Sequence, residues 1–166
     1  MPYSYQYFKT DVKDHFESKL SKDIKILDIG PGCGTYSDLL SPLGFKLDGL
    51  EIYEPYITQF DLRSKYNSLH LGDIMDFDFY MYDYLIMGDI LEHLTISNAQ
   101  IVLSKIKSYK IKTLVAVPYE YEQGEWGGNI YEAHLQPELT PELMKSYYPD
   151  LKLLVGDENY GYYINY

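Results

Sequence analysis

The sequence predicts an α/β fold organised around a mostly parallel sheet, and two observations carry the prediction. Short apolar runs alternate with segments of helical periodicity along the chain. One of those runs passes directly into three alternating glycines, in Ile26-Leu27-Asp28-Ile29-Gly30-Pro31-Gly32-Cys33-Gly34. Glycines at every second position let a backbone turn sharply at a strand end and approach a ligand closely. Thr35–Leu40 then starts a helix whose N-terminus faces that ligand. Strand, loop and helix together make a nucleotide-type site at the carboxyl edge of a parallel sheet.

Residues 4–20 place Tyr5, Phe8, Val12, Phe16 and Leu20 three and four apart, the spacing of a helix packed on one face. Ile24–Ile29 is the first strand, and Thr35–Leu40 is a helix stopped by Pro42-Leu43-Gly44. Phe45–Glu51 follows as the second strand, Pro55–Tyr66 as a helix, Leu69–Leu71 as a short third strand and Tyr82–Met87 as the fourth. Ser97–Ser108 reads as a helix capped by Ser97, with Ile101, Val102 and Ile106 on its apolar face. Thr113–Val117 has the apolar run of a buried central strand. Residues 118–139 lack periodicity, and a loop of that length in a compact domain is usually functional or disordered. Thr140 caps a helix that Pro141 opens and Tyr148 ends. Leu151–Asp157 and Tyr162–Tyr166 flank a turn at Glu158–Gly161 as an antiparallel hairpin. Neither a repeat nor a linker interrupts the pattern, so one domain over residues 1–166 is expected.

Lys+Arg total 14 against 25 Asp+Glu, a net charge of −11. Such a chain is a poor partner for phosphate backbones or anionic lipid, and Arg63 is the only arginine available for a phosphate clamp. Neither a nucleic acid nor a membrane is expected as a partner. Cys33 is the single cysteine, so no intrachain disulfide forms, as in a reducing compartment. No apolar run approaches the roughly 20 residues of a membrane span, and the N-terminus lacks a signal-peptide core. A soluble, cytoplasmic protein is expected.

Four features fall at the ends of the first four strands. The glycine loop is the first. The dinucleotide fingerprint G-x-G-x-x-G needs its third glycine where this chain has Thr35. The second is Glu51, followed by Ile52, about 20 residues beyond the loop, where a carboxylate accepts hydrogen bonds from ribose hydroxyls. The third is Gly72-Asp73-Ile74. The fourth is the segment Met87-Gly88-Asp89-Ile90-Leu91-Glu92-His93-Leu94. In this order the four resemble class I S-adenosylmethionine (SAM)-dependent methyltransferases, over residues 24–118. The resemblance implies a Rossmann-like, seven-stranded sheet of order 3-2-1-4-5-7-6 with helices on both faces. It implies SAM as cofactor and S-adenosylhomocysteine (SAH) as product. It places Asp28, Gly30, Pro31, Gly32, Gly34 and Ile52 at the cofactor, Glu51 at the ribose, and Asp73 and Ile74 at the adenine. Met87, Gly88 and Asp89 fall near the methionine end. No Asn/Asp-Pro-Pro-Tyr follows the fourth strand and no Lys-Asp-Lys-Glu tetrad is visible, which disfavours methylation of base or glutamine amino groups and of RNA ribose.

The acceptor must be recognised elsewhere. Gln123-Gly124-Glu125 and Gly128-Asn129-Ile130-Tyr131-Glu132-Ala133-His134 resemble a segment of bacterial methyltransferases linked to sugar or surface-glycan modification. Aromatic faces stack on sugar rings and carboxylates bind hydroxyls, and Gly124, Gly127 and Gly128 are candidate lid hinges. The expected acceptor is thus a small molecule or glycan, methylated at oxygen, and a homodimer completing its pocket is left open. A hydroxyl acceptor gains from a general base, for which His134 comes first, with Glu132 and His93 as alternatives. No metal is expected. A SAM-binding sensor without transferase activity is the alternative reading, and an NAD-dependent oxidoreductase the third.

Overall fold

The computed structural model describes residues 2–166. In chain order its elements are α1 (Lys9–Lys19), β1 (Ile26–Ile29), α2 (Thr35–Leu40), β2 (Leu47–Glu51), α3 (Glu54–Gln59), α4 (Leu62–Lys65) and β3 (Leu69–Leu71). There follow β4 (Tyr84–Gly88), α5 (Ile96–Ser108), β5 (Lys112–Pro118), α6 (Pro141–Tyr147), β6 (Lys152–Gly156) and β7 (Tyr160–Ile164). The strands form one sheet in the order β3-β2-β1-β4-β5-β7-β6. β1 to β5 pair in parallel, whereas β7 runs antiparallel to β5 and β6. Fold class, strand order and terminal hairpin are those expected.

The central strands are apolar on both faces because both are covered. Successive side chains point to opposite faces. Leu27, Ile29, Leu85, Met87, Val115 and Val117 join one buried cluster with Val102 and Ile106 of α5 and Met144 of α6. Ile26, Tyr84, Ile86, Leu114 and Ala116 join the other, with Val12 and Phe16 of α1, Leu40 of α2 and Ile57 of α3. Burying each such side chain stabilises the fold by about 1.5–3 kcal/mol.

Several boundaries differ from those the sequence suggests. The first helix starts at Lys9, because Phe8 is left-handed (φ 61°) and Tyr5 stacks flat on Tyr160 at 4.6 Å. The segment 55–66 is two short helices, broken at Asp61 (φ 49°). Thr95, not Ser97, caps α5 by accepting from the Asn98 N–H at 3.2 Å. Ile101 lies on the exposed side of α5, whose buried face is Ala99, Val102 and Ile106. The final turn falls earlier than expected, because the Asp157 carboxylate accepts from the N–H groups of Asn159 and Tyr160 and lets β7 start at Tyr160. In the long loop, Gly127 and Gly128 have positive φ and close a two-residue turn between Trp126 and Asn129, which bond each other in both directions. Positive φ at both positions is what a tight type I′ turn requires. These two glycines, suggested by the sequence as hinges, form the tip of that turn. Among the described residues, no helix is long and apolar enough to cross a membrane.

Candidate functional site

The parallel half of the sheet delivers the ends of β1, β2, β3 and β4 to one edge, and a cavity of about 330 Å³ opens there. Gly30, Pro31 and Gly32 line it after β1, Glu51 and Ile52 after β2, Asp73 and Ile74 after β3, and Gly88 and Asp89 after β4. The loop after β5 supplies Asn129, Tyr131 and Glu132, and His93 faces the cavity from a 3-10 turn over Leu91–His93.

The glycine loop adopts positive φ at Gly30, Gly32 and Gly34. At Gly32 a Cβ would stand 2.6 Å from the carbonyl oxygen of Pro2, which accepts from the Cys33 N–H at 3.0 Å. Gly34 faces away from the cavity, against Lys65, whose ammonium bonds the Cys33 carbonyl at 3.0 Å and the Asp38 carboxylate at 2.6 Å. The loop is thus held from α4 on one side and from the N-terminal segment on the other.

Glu51 is 3% exposed, and its Oε1 accepts from the Tyr53 N–H at 2.8 Å. Burial pushes its carboxyl up to about 7, against backbone hydrogen bonds that pull it down. Asp73 accepts from the Met75 N–H at 2.8 Å, which leaves it in a tight turn at the rim. Asp89 sits at φ 58°, an unfavourable region for a non-glycine residue, of the kind that clusters at functional sites. Its Oδ1 accepts from the Tyr160 hydroxyl at 2.6 Å, while its buried Oδ2 has no partner. Burial raises its carboxyl too.

Three residues expected at the cofactor do not line the cavity: Gly34, which faces Lys65, and Asp28 and Met87. Asp28 is 1% exposed and accepts from the Tyr66 hydroxyl at 2.5 Å, so it braces the glycine loop from beneath. Burial raises it to about 7. The side chain of Met87 lies in the core beside Leu85, because alternation on β4 turns it into the α5 face.

Glu132 is buried and accepts from the Tyr56 hydroxyl at 2.9 Å. His134 does not line the cavity, but its ring meets that of His93 edge-on, with centroids 4.7 Å apart. Burial pulls His93 down to about 4 and lowers His134, so both rings are neutral near pH 7. Other residues of the site had no clear sequence signal. Pro2, Tyr3 and Ser4 line the cavity, and Lys9 reaches from α1 to Ser4 and the Tyr162 hydroxyl, both at 2.8 Å. Burial brings Lys9 down to about 8, while Asp89 and Asp28 pull the other way. The aromatic density of residues 3–8 was the only trace of this arrangement.

No protein-family model and no curated protein matches the sequence. Solved structures do match. The methyltransferase domain of bacterial CtHen1 is 19% identical, over 95% of this chain and 97% of that one, with a TM-score of 0.69. A SAM-dependent methyltransferase from Clostridium acetobutylicum is 12% identical, over 96% and 91%, with a TM-score of 0.68. The fold is that of the class I SAM-dependent methyltransferases. The N-terminal domain of EvdMO1, solved with SAH bound, shares it at 12% identity, over 97% of this chain and 80% of that one, with a TM-score of 0.63. In a methyltransferase fold of this type the cavity occupies the position where strand order reverses, between β1 and β4, the usual ligand position of open parallel sheets.

Proposed function

We propose that the chain is a SAM-dependent methyltransferase acting on an oxygen atom of a small, sugar-like acceptor. The observation that carries the reading is Glu51, a buried carboxylate that lines the cavity at the end of β2, beside a glycine loop of positive φ. A buried carboxylate is stable only when hydrogen-bonded; Glu51 Oε1 already accepts from the Tyr53 N–H, and a ribose would add two hydroxyl donors from the cavity side. The cavity volume of about 330 Å³ lies within the range of small-molecule and cofactor sites.

In this reading Asp73 and Ile74 take the adenine, Glu51 and Ile52 the ribose, and the glycine loop with Asp89 the methionine end. SAM supplies a methyl group already made electrophilic by its sulfonium, so the protein contributes mainly in-line positioning. With SAM bound, the acceptor oxygen would take the methyl group, the carbon–sulfur electron pair would remain on sulfur as SAH, and the hydroxyl proton would pass to solvent. The wall that carries Ile130, Tyr131, Glu132 and His93 supports the acceptor assignment, because exposed Ile130 and Tyr131 offer apolar faces to a sugar ring.

Calorimetry with SAM, SAH and NAD tests the first half. Binding of SAM and SAH without NAD is expected, and the absence of heat with both at millimolar concentration would remove the reading. Transfer of a labelled methyl group to hydroxyl-bearing but not amine-bearing sugars tests the second.

A further inference from the structure

Behind the acceptor wall, Glu92, His93 and His134 each bring one ligand atom within 4.8 Å of the others. Glu92 is 1% exposed, and neither of its carboxylate oxygens has a hydrogen-bond partner. A buried carboxylate left so is costly without a cation. The two histidines are set up to share one. His93 Nδ1 lies 3.1 Å from the Ala133 carbonyl, and His134 Nδ1 lies 2.7 Å from the Tyr121 carbonyl. A carbonyl only accepts, so each Nδ1 carries the proton and each Nε2 is left with its lone pair. Metal-bound histidines are oriented in this way, by donation from the second ring nitrogen to a carbonyl. The backbone fixes the set as well. The Glu92 carbonyl accepts from Leu135 N–H at 2.8 Å, and Gln136 Nε2 donates to the carbonyls of Leu91 and Leu94 at 2.8 and 2.9 Å.

We propose that Glu92, His93 and His134 bind a divalent first-row transition-metal ion at the acceptor end of the cavity. Two imidazoles and one carboxylate suit Mn²⁺, Fe²⁺, Co²⁺ or Zn²⁺ better than the all-oxygen cations Mg²⁺ and Ca²⁺. Three protein ligands leave coordination positions open, and His93 carries the site to the cavity wall. The ion's role rests on the methyltransferase reading: there it holds the acceptor hydroxyl and lowers its pKa, so that the proton leaves to solvent before the oxygen–methyl bond forms. His93 and His134 are then ligands, and the hydroxyl needs no imidazole base.

The test uses the chelator-stripped wild-type chain and Co²⁺ or Zn²⁺ alone. One Co²⁺ per chain with visible d–d absorption is expected. Zn²⁺ should shift the ring ¹⁵Nε2 resonances of His93 and His134 and leave those of His15 and His70 in place. His134→Ala and Glu92→Gln should each weaken metal binding by at least about tenfold. The wild-type resonance shifts decide the matter even if a variant fails to fold. No Co²⁺ binding at millimolar concentration, or shifts confined to His15 and His70, would overturn the site. SAH calorimetry on the stripped protein reports separately on the methyltransferase reading. SAH binding without Co²⁺ binding removes the metal alone, and Co²⁺ binding without SAH binding removes the ion's proposed role in transfer and leaves the site.

Discussion

Tyr66 donates its hydroxyl hydrogen to Asp28 across 2.5 Å, tying the residue after α4 to the middle of β1, beneath the glycine loop. Both residues are buried, and the hydrogen bond pulls the Asp28 carboxyl down against a burial effect that lifts it to about 7. Tyr66→Phe removes the donor and leaves the carboxylate buried with that bond unmade. The variant should lose about 1–3 kcal/mol of stability above about pH 7, where Asp28 is ionised, and less below it. Urea denaturation on both sides of that pH measures the effect. An equal loss at both would show that the hydroxyl serves packing alone.

Glu51 links function to stability. Its carboxyl titrates near 7 in the folded chain and near 4.5 when unfolded. The folded state therefore keeps a proton that the unfolded chain has already released, and stability from this group falls as pH rises from about 4.5 to 7. Glu51→Gln should stabilise the ligand-free protein relative to wild type more at about pH 8 than at about pH 5, by up to about 3 kcal/mol. Cofactor binding runs the other way. Ribose hydroxyls donate to the ionised form, so SAH affinity should rise with pH up to about 7, by as much as about tenfold per pH unit, and then level off. Glu51→Gln should bind SAH more weakly and without that slope. A wild-type affinity flat from pH 5 to 8 would take Glu51 out of the cofactor site.

Gly32 and Gly44 separate backbone strain from close approach. Both have positive φ, 55° and 89°, but a Cβ at Gly44 would meet nothing within 4 Å, whereas one at Gly32 would stand 2.6 Å from the Pro2 carbonyl oxygen. Each alanine variant should lose about 1–2 kcal/mol of stability from the left-handed backbone. Only Gly32→Ala should also lose SAH affinity, because the loop and residues 2–4 must move apart. Parallel thermal melts and calorimetry on the two variants check this.

The sheet was legible because its central strands are short, mainly apolar segments that end in chemistry: Ile29 before Gly30, Leu50 before Glu51, Met87 before Gly88. Such strands carry no period of two, and their shortness and the glycines that follow β1 and end β4 mark them as strands. Short helices were read less well. Asp61 breaks 55–66 by adopting a left-handed conformation that no glycine or proline announces. The roles of single side chains were least legible. Asp28 and Met87 sit at the right places in the chain, but strand alternation turns them beneath the loop and into the core. The contribution of Pro2–Ser4 to the cavity, and the meeting of His93 with His134 across forty residues, depend on tertiary contacts that local pattern does not encode.

Asp89 offers the sharpest test of how the cofactor lies. Its Oδ1 is held by Tyr160 at 2.6 Å, and its Oδ2 is buried without a partner beside the cavity. The ammonium group of a bound methionine moiety would supply the missing donor. A hydrogen bond to a charged group is worth about 1.5–3 kcal/mol, or roughly 10- to 150-fold in affinity. Asp89→Asn should therefore weaken SAH binding by that factor. Binding of 5′-methylthioadenosine, which keeps adenine, ribose and sulfur but lacks the amino-acid end, should be nearly unchanged. Equal losses for both ligands would mean that the substitution disturbs the β4 turn, and the methionine end would then have to be sought nearer the glycine loop. Tyr160→Phe adds the control. It frees Oδ1 without touching Oδ2, so it should lower stability while SAH and methylthioadenosine keep their relative affinities.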